Sequence, residues 1–394
     1  MNKYYVDLHV HIGRSSQGIE IKKATSNNLT IENIAKEAIR KGIDILGVVD
    51  CISPYVIKDI EALIASGDLK EKPEGGMEYK GKQTLILGAE IETHEIKGGS
   101  AHSLCFFSTF NQVKAFSKKM RPHIKNIELF SAMSRLTAQE LFNIVDELGG
   151  TFIPAHVFTP HKSFYGNCST SLHNIFDSES FDKIPCVELG LSSDTSMASM
   201  LSELDSKAFI TNSDAHSLPK MGREYNIFLL EAPTYNELIK AFKGEAGRSI
   251  ESNYGLNPKL GKYHRSFCLI CEKILTGNPP VLKCDESSKH RVIVGVRDRL
   301  EIIKDRELPQ IEGRPPYFYN IPLEYLPKVG PKTIDKLIEH FGTEMNVIHE
   351  ASFDELAKVV SNEIATNIIL AREGKLAIEA GGGGVYGRVR NDTK

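Results

Sequence analysis

Long apolar runs are missing from this sequence of 394 residues. No stretch approaches the roughly 18 consecutive apolar residues that a membrane-spanning helix requires, so we expect neither a transmembrane segment nor a membrane partner. The beginning of the chain does not predict a signal peptide, because Asp7, His9 and His11 interrupt the apolar pattern there. We expect a cytoplasmic protein, associated with the nucleoid if it binds DNA.

Cysteine is scarce, and its count of seven is odd, which argues against a disulfide framework. Four cysteines are scattered along the chain: Cys51, Cys105, Cys168 and Cys186. The other three lie close together: Cys268, Cys271 and Cys284. This distribution predicts reduced thiols and one local metal site.

Neither sign of charge dominates, since the net charge is −3. Residues 258–314 depart from this balance with 12 basic and 8 acidic side chains, against 27 and 32 in residues 1–257 and 9 and 11 in residues 315–394. Binding to nucleic acid requires local positive charge that displaces counterions. The basic segment is therefore a candidate for that contact, and a solvated basic surface is the alternative.

What the sequence does contain, almost at its start, is the pattern Asp7-Leu8-His9-Val10-His11. Residues 4–10 have the composition of a strand, and side chains at alternate positions of a strand share one face. One carboxylate and two imidazoles then lie together at a strand end, and such groups bind zinc, manganese and iron. Two hydrogen-bonded structural histidines are the alternative for this pattern taken alone.

Further β-rich runs each lead into a residue type that binds metals. These residues are Asp50 after 43–49, Glu90 after 84–89, His156 after 151–155, and Asp214 and His216 after 208–212. Between the runs, helical patterns with capping residues begin at Thr30 and Thr137. Alternating strands and helices with polar residues at the strand ends predict a parallel α/β barrel whose loops build a site.

The order of these motifs resembles the polymerase and histidinol phosphatase (PHP) superfamily. The motifs are Asp-x-His-x-His, an acid after Val48-Val49, Gly-x-Glu, Pro-Ala-His and Ser-Asp-Ala-His. The resemblance implies an α/β fold with a distorted (βα)7 barrel that holds up to three metal ions and hydrolyses phosphoesters. Carried over by position, it implies these metal ligands: His9, His11, Asp50, Glu90, His102, His156, Asp214 and His216.

Phosphodiester hydrolysis accounts for these residue types. Metal ions about 3.5 to 4 Å apart supply a hydroxide nucleophile at neutral pH and neutralise the phosphoryl charge. We expect two to three divalent ions, zinc, manganese or iron with magnesium as another candidate, bridged by Glu90 or Asp214. His156 or His216 could instead carry a proton to the leaving oxygen. Asp7 is expected to orient His9 rather than bind metal.

The loop after His156, residues 158–166, is expected to lie over the metal site of such a barrel. We expect Lys162 to contact a phosphate there, and Phe164 and Tyr165 to stack on a base. A well-packed structural loop is the alternative.

A linker rich in Gly, Pro, Asn and Lys leads out of the predicted barrel. Potential zinc ligands follow it at close spacing: Cys268, Cys271, Cys284 and His290. The spacing is that of a tetrahedral structural zinc site, with His264 as the alternative fourth ligand. One zinc ion would supply folding energy that so small a module cannot obtain from its core.

Residues 326–333 resemble a helix-hairpin-helix motif, whose tight turn exposes backbone N–H groups to a DNA phosphate. Lys328 stands where the motif usually has its first glycine. The expected DNA contacts are Lys328, Gly330 and Lys332. A helical hairpin with a packing role is the alternative. The glycine-rich tail, residues 381–387, either orders on nucleic acid or stays disordered.

The order of barrel, cysteine module, hairpin segment and Gly-Gly-Val-Tyr-Gly tail resembles the endonuclease Q family over essentially the full chain. The resemblance implies a DNA repair enzyme that cuts the phosphodiester on the 5′ side of hypoxanthine, xanthine, uracil or an abasic site. It implies lesion-containing double-stranded DNA as the partner, with repair or replication proteins as further candidates. A small-molecule phosphatase of the histidinol phosphate type and a non-catalytic DNA-binding scaffold are the alternatives.

We expect three domains, in line with the chain length and the 41% hydrophobic content. They are a metallophosphoesterase barrel at residues 1–252, a zinc-binding module at 253–315 and a helical DNA-binding segment with the tail at 316–394. In this organisation the basic segment and the hairpin hold the duplex, while the lesion unstacks into a pocket between the barrel and the zinc module.

Overall fold

The computed structural model describes residues 1–128 and 133–390. Its strands are β1 (Asn2–Val10), β2 (Ile45–Val48), β3 (Leu69–Glu71), β4 (Met77–Tyr79), β5 (Gln83–His94), β6 (Ser100–Phe107), β7 (Thr151–Pro154), β8 (Cys186–Glu188), β9 (Ala208–Ile210), β10 (Tyr225–Leu230), β11 (Ser249–Gly255), β12 (Phe267–Cys268), β13 (Lys273–Ile274), β14 (Val292–Ile293), β15 (Tyr317–Tyr319), β16 (Ile378–Glu379) and β17 (Arg388–Val389). Its α-helices are α1 (Ile31–Lys41), α2 (Pro54–Ala65), α3 (Phe110–Met120), α4 (Ala138–Glu147), α5 (Ser178–Lys183), α6 (Thr195–Ala198), α7 (Tyr235–Phe242), α8 (Val296–Ile303), α9 (Pro331–Phe341), α10 (Glu344–His349), α11 (Phe353–Val359) and α12 (Asn362–Arg372).

Two helices begin where the capping patterns predict. Helix α1 follows Thr30, whose hydroxyl oxygen accepts a hydrogen bond from Asn33 N, and it ends at Gly42 with φ of 82°. Glycine takes up that left-handed conformation without a steric cost. Helix α4 starts with a reciprocal capping box between Thr137 and Glu140. Both predictions are confirmed.

Among the described residues, ten strands form the main sheet, in the order β15-β11-β10-β1-β2-β5-β4-β3, with β6 pairing to β5 and β7. Strands β1, β2 and β5 are parallel, as predicted. Strand β6 runs antiparallel to β5 and β7, and β10 runs antiparallel to β1 and β11. The prediction of a parallel barrel is therefore wrong for β6 and β10. Strand β6 is antiparallel because β5 continues past the predicted run and the chain turns back as a hairpin.

Backbone hydrogen bonds connect the ends of several strands into a ring. Strands β8 and β9 form a separate parallel pair. Val157 N donates to Glu188 O at 3.0 Å, which links the end of β7 to β8, and Ala215 N donates to His9 O at 3.1 Å, which links the end of β9 to β1. Within the described ranges, the ring runs β1-β2-β5-β6-β7-β8-β9 and back to β1, so one end of each of these strands faces a shared space.

The strands surround a common apolar core. One buried cluster takes side chains from β1, β2 and every strand from β5 to β11, with Leu238 and Phe242 of α7 packed against them. A larger cluster joins the other face of the sheet to α1–α4 and continues into the C-terminal helices. Each fully buried aliphatic or aromatic side chain contributes about 1.5 to 3 kcal/mol to folding. This packing fixes the strand ends that carry the polar residues.

The C-terminal helices pack on the same body. Lys41 of α1 donates to Glu344 of α10 at 2.7 Å, and both side chains are almost fully buried. Removing one partner of such a pair costs roughly 3 to 5 kcal/mol, because the other charge is left buried and unpaired. In addition, β15 pairs with β11, so residues on both sides of the cysteine segment belong to one sheet.

The glycine-rich tail, residues 381–387, contacts both the linker and the cysteine segment. Gly381 N donates to Lys259 O and Gly387 N donates to Leu260 O, at 2.8 and 2.9 Å. Gly383, with φ of 61°, lies so close to the Phe267 ring that an added Cβ would be 2.5 Å away. The tail therefore packs between the linker and the cysteine segment.

No helix in the described parts of the chain is both long enough and apolar enough to cross a bilayer.

Candidate metal centre

The two histidines of the opening motif meet two carboxylates at the ring of strand ends. His9 Nε2 and His11 Nε2 are 3.2 Å apart. Glu90 Oε1 lies 3.4 Å from His9 Nε2, and Glu90 Oε2 lies 3.6 Å from His11 Nε2. Asp214 Oδ1 lies 3.6 Å from His9 Nε2 and 3.3 Å from His11 Nε2.

The separations among His9, His11 and Glu90 suit binding to one metal ion. Ligand atoms about 2.0 to 2.2 Å from a tetrahedral zinc ion are roughly 3.3 to 3.6 Å from one another. The ligand atoms of His9, His11 and Glu90 lie within 4.8 Å of one another, and Asp214 Oδ1 lies 3.6 and 3.3 Å from the two histidines. The donor set, two imidazoles and two carboxylates, is also one that divalent transition metals bind.

A second group shares Glu90 with the first. Glu90 Oε1 lies 2.6 Å from His102 Nδ1 and 3.4 Å from His156 Nε2, and the ligand atoms of the three residues are within 4.8 Å of one another. His102 joins this group although it lies near the start of β6, because β6 is antiparallel to its neighbours. Glu90 thus belongs to two groups at once.

A third group consists of His11, Asp214 and His216. The His216 ring lies 4.4 Å from the His11 ring, and its Nδ1 donates to the backbone oxygen of Asp214 at 3.0 Å. Burial and the charge of His11 lower the pKa of His216 to about 4. His216 is therefore neutral at physiological pH and has a lone pair to offer.

Glu188 holds the ligands in place and was not assigned from the sequence. Its Oε1 accepts from Asn212 Nδ2 at 2.8 Å and lies 2.9 Å from His9 Nδ1, and its Oε2 accepts from His156 N at 2.8 Å. A carboxylate on Nδ1 fixes the tautomer that leaves Nε2 free for a metal. Glu188 is the last residue of β8, so it too is a polar residue at a strand end.

Asp50 does not join the converging groups, which corrects its prediction as a ligand. Its Oδ2 accepts from Ile12 N and lies 2.9 Å from His11 Nδ1, so Asp50 orients the His11 ring. Asp7 also differs from its prediction. Its carboxylate accepts from the backbone N–H of His9, Ser213 and Gly222, and therefore holds three chain segments together rather than the His9 ring.

The electrostatics of the site keep its carboxylates ionised. Burial alone would raise the pKa of Glu90, but His102, Lys22 and His11 outweigh it and hold that pKa well below its ordinary value. For Asp214, burial is likewise outweighed, by His9, His11 and His216, and the pKa is well below its ordinary value. Both groups are charged at neutral pH and can bind a cation.

Two site residues have a backbone conformation that is uncommon for non-glycine residues. His156 has φ of 28° and Asp214 has φ of 45°. Such conformations cost roughly 1 to 3 kcal/mol each and persist only where surrounding contacts impose them. Gly190 packs against His156, where a Cβ would come within 2.8 Å of the histidine Cβ. The fold thus aims both side chains at the centre.

A cavity of about 320 Å³ opens over the centre. Its rim includes Lys22, His161, Lys162, Lys262, Tyr263 and Tyr386. Lys162 is half exposed, and its Nζ donates to Glu92 Oε2 at 2.9 Å. Glu92 Oε2 also lies 3.4 Å from His102 Nε2, so it connects the rim to the second group.

The prediction that Phe164 and Tyr165 stack on a base is wrong for this structure. Both side chains are fully buried. Phe164 packs on Phe176, and Tyr165 stacks on Phe158 and donates its hydroxyl to Glu203 at 2.7 Å. Their role is to anchor the loop that carries Lys162.

The cysteine segment brings four ligands together. Cys271 Sγ lies 3.6 Å from Cys284 Sγ and 3.3 Å from His290 Nδ1, and His290 Nδ1 lies 3.6 Å from Cys268 Sγ. Zinc bonded to sulfur and nitrogen at about 2.0 to 2.3 Å gives edges of roughly this length. His264 is outside the group, so the geometry favours His290 as the fourth ligand.

The three residues of the predicted DNA-binding hairpin lie at the start of α9. Gly330 is its N-cap residue, and Lys332 lies in its first turn. Lys328 has φ of 67°, the conformation for which a hairpin turn usually employs glycine. The Lys328 ammonium group pairs with Glu363 of α12 at 2.7 Å, in an exposed contact.

No family model matches this chain. It is 45% identical over 394 residues to the uncharacterized protein YqxK of Bacillus subtilis, which covers 99% of this chain and all of that protein. It is 37% identical over 246 residues to the uncharacterized protein MJ0043 of Methanocaldococcus jannaschii. The matched residues make up 56% of this chain and 30% of that protein.

Two solved structures are similar over almost their whole length. The lesion-specific endonuclease PfuEndoQ from Pyrococcus furiosus has a TM-score of 0.82 and 33% identity, covering 99% of this chain and 95% of that one. Endonuclease Q in complex with a 27-mer duplex substrate, with an abasic lesion at the active site, has a TM-score of 0.84 and 33% identity, covering 99% and 96%.

The fold and the converging ligand groups define a metal-dependent phosphodiesterase of the nuclease type. The chain belongs to the endonuclease Q family.

Proposed function

We propose that this enzyme is a DNA repair endonuclease that hydrolyses the phosphodiester 5′ to a deaminated base, hypoxanthine, xanthine or uracil, or to an abasic site. The observation that carries the proposal is the similarity over 99% of the chain to an endonuclease Q that holds duplex DNA with an abasic lesion at its active site. A substrate of this kind places the enzyme with the nucleoid DNA of the cytoplasm.

The proposed metal ligands are those whose atoms converge: His9, His11, Glu90, Asp214, His102, His156 and His216. Divalent ions bound there, two to three in number and zinc, manganese, iron or magnesium in kind, would activate water and neutralise the phosphoryl charge. Glu90, which faces two groups, is the proposed bridging residue.

The side chains of the protein then position the substrate and carry a proton to the leaving oxygen. If it does not bind a metal ion, His216 could instead carry a proton to the leaving oxygen, because it lies at the edge of the cavity with its side chain 39% exposed. His156 is more buried and is the alternative proton carrier. Lys162 lies on the cavity rim, where its release from Glu92 would free it to contact a phosphate.

The remaining segments are proposed to hold the duplex. The cysteine group would bind one structural zinc ion, and the start of α9 with Lys328, Gly330 and Lys332 would contact phosphates as a helix-hairpin-helix element. The proposed domains are residues 1–252, 253–315 and 316–394. Strand β11 crosses the first of these boundaries, and β15, from the third domain, pairs with it in the same sheet. Residues 391–394 lie outside the described part of the last segment.

Substitution of one ligand tests the proposal. Asp214→Asn keeps the shape of the side chain but removes the charge that two histidines face. On an inosine-containing duplex with added Mn²⁺ or Zn²⁺, we expect cleavage to fall by at least a thousandfold and binding to change little. Full cleavage by the variant would contradict the assignment. Asp146→Asn, on the exposed surface of α4 and paired only with Lys183, serves as the control and should cleave normally.

A further inference from the structure

Lys262 lies on the rim of the cavity over the metal centre. Its ammonium group is 4.6 Å from the centre of the Tyr386 ring, a distance at which an aromatic face attracts a cation. Within residues 1–128 and 133–390, this ammonium group forms no ion pair and no hydrogen bond. Lys162, on the same rim, is instead paired with Glu92. Lys262 is thus available to bind an anion that enters the cavity.

Two further cations lie against the Tyr386 ring. The Arg223 guanidinium group is 5.3 Å and the Lys220 ammonium group 5.9 Å from the ring centre. Both already have partners, since Arg223 Nε donates to Ser213 O at 2.7 Å and Lys220 Nζ donates to Glu324 at 3.0 Å. Among the described side chains on this ring, Lys262 is therefore the cation that has no partner.

The surroundings of Lys262 are positive on balance. Burial, together with the charges of Arg223 and Lys220, lowers the pKa of Lys262, and the charge of Asp214 acts in the opposite direction without cancelling this effect. Cations held this close together repel one another. A phosphate oxygen bound beside Lys262 would supply the negative charge that this cluster lacks, and such charge-assisted hydrogen bonds are strong.

The backbone on either side of Lys262 is held in place. A Cβ added to Gly261 would lie 2.2 Å from Ser192 Oγ, so the linker is pressed against the loop after β8. On the other side of the linker, Gly387 N donates to Leu260 O at 2.9 Å. The position of the Lys262 side chain therefore depends on the glycine-rich tail as well as on the linker.

We propose that Lys262 binds a backbone phosphate of the cut strand, and that Tyr386 in the tail is the positioning residue that holds Lys262 at the cavity. The Tyr386 hydroxyl oxygen accepts a hydrogen bond from Arg223 Nη1 at 3.0 Å, which fixes the ring that Lys262 lies on. The tail thereby becomes part of the substrate site. This inference rests on the proposed function, because it requires a nucleic-acid substrate, but it does not depend on which lesion is preferred.

Single-turnover cleavage of an inosine-containing duplex tests the role of Lys262, because it separates the half-saturating enzyme concentration from the maximal rate. Lys262→Gln should raise the half-saturating concentration by roughly tenfold, as expected for one lost charged contact, and change the maximal rate much less. The slope of log affinity against log salt concentration should become shallower by about one. Lys262→Arg should restore both quantities. Lys118→Gln, which removes an exposed charge from α3, is the control and should behave like the wild type.

Tyr386 variants test the positioning role. Tyr386→Phe keeps the ring beneath Lys262 and should bind like the wild type, whereas Tyr386→Ala should lose as much affinity as Lys262→Gln. The double variant Lys262→Gln/Tyr386→Ala should be no weaker than Lys262→Gln alone, because both changes remove the same contact. Losses that add in the double variant would overturn the positioning role.

A Lys262→Gln enzyme with the half-saturating concentration and salt slope of the wild type would overturn the inference. A scan of the cut strand with single neutral methylphosphonates gives a second test, since Lys262→Gln should lose the sensitivity of the wild type at one position. Equal sensitivity of both enzymes at every position would also overturn it. Absence of lesion-dependent cleavage by the wild type would instead contradict the proposed function, and this inference with it.

Discussion

Glu188 Oε1 lies 2.9 Å from Nδ1 of His9, with both side chains fully buried. The contact leaves His9 Nε2 as the nitrogen that faces His11, Glu90 and Asp214. Asp50 does the same for His11. The centre is thus built from histidines whose orientation is set by carboxylates behind them, an arrangement that preorganises a metal site before any ion binds.

Glu188→Gln should weaken metal binding without unfolding the chain. The amide preserves the side-chain shape but removes the negative charge that faces His9 Nδ1. Loss of such a contact typically lowers the affinity for metal by roughly 10- to 100-fold. Titration of the metal-depleted protein with Zn²⁺ or Mn²⁺ measures this. Glu231→Gln, whose side chain is 61% exposed, is the control and should bind like wild type. Equal affinity in both variants would refute the orienting role.

Cys271→Ser should release one zinc ion and destabilise the cysteine segment. Cys271 lies within 3.6 Å of two other ligands, and a module with so small a core depends on its metal. The zinc content should fall by one per chain, and proteolysis within residues 265–295 should become faster. Cys168→Ser, outside the group, should change neither quantity. Retention of the zinc ion by Cys271→Ser would show that the cysteine group does not bind it.

Gly383→Val should detach the tail. The new side chain would collide with the Phe267 ring, whereas at Gly384 nothing lies within 4 Å of an added Cβ. Both glycines have positive φ, 61° and 88°, so Gly384→Val also strains the backbone but without the collision, and it is the control. Faster trypsin cleavage at Lys375 or Arg388 in Gly383→Val than in Gly384→Val is the expected result. Because Tyr386 lines the cavity, affinity for lesion-containing DNA should fall in parallel.

Stability should depend on pH through His349. Burial, with the charges of Arg372 and Lys3, lowers the pKa of His349 to about 4, and Tyr225 donates its hydroxyl to Nε2 at 2.7 Å. The unfolded chain binds the proton near pH 6.5, so the stabilisation is complete above that pH and is lost as the pH falls towards 4.

As the pH falls from 7 to 5, protonation of His349 in the unfolded chain should therefore lower the free energy of unfolding by roughly 2 kcal/mol. Urea unfolding of the wild type and of His349→Gln at both pH values measures this change in the free energy of unfolding. The variant should lose less stability than wild type over this interval, and an identical loss in both proteins would rule out the effect.

Much of the fold is predictable because its signals are local. The apolar runs of β1, β2, β7, β8 and β9 and the caps at Thr30 and Thr137 depend on neighbouring residues only. The direction of β6 is not predictable in this way, because it depends on pairing with β5 and β7 across long sequence distances. The same applies to β10 and β11, which close the sheet beside β1.

Part of the candidate site is likewise predictable from local motifs, and part depends on tertiary packing. His9, His11, Glu90, His156 and Asp214 belong to motifs with a recognisable order, and the structure brings them together. A carboxylate at a strand end can bind the metal ion, or it can contact the histidine nitrogen that faces away from the ion. The difference is a few ångströms, which no motif encodes, and Asp50, beside Nδ1 of His11, is an example. Lys22 has no local signal at all, since its loop carries no regular pattern, and the burial of Phe164 and Tyr165 is set by tertiary packing.

The central claim is tested most directly by mapping cleavage to single-nucleotide resolution on end-labelled duplexes that contain inosine, uracil, an abasic site or no lesion. The account predicts one nick on the 5′ side of each lesion, dependent on divalent metal and absent from the undamaged duplex. Cutting that ignores the lesion, or no nick on any duplex together with phosphate release from histidinol phosphate, would contradict it.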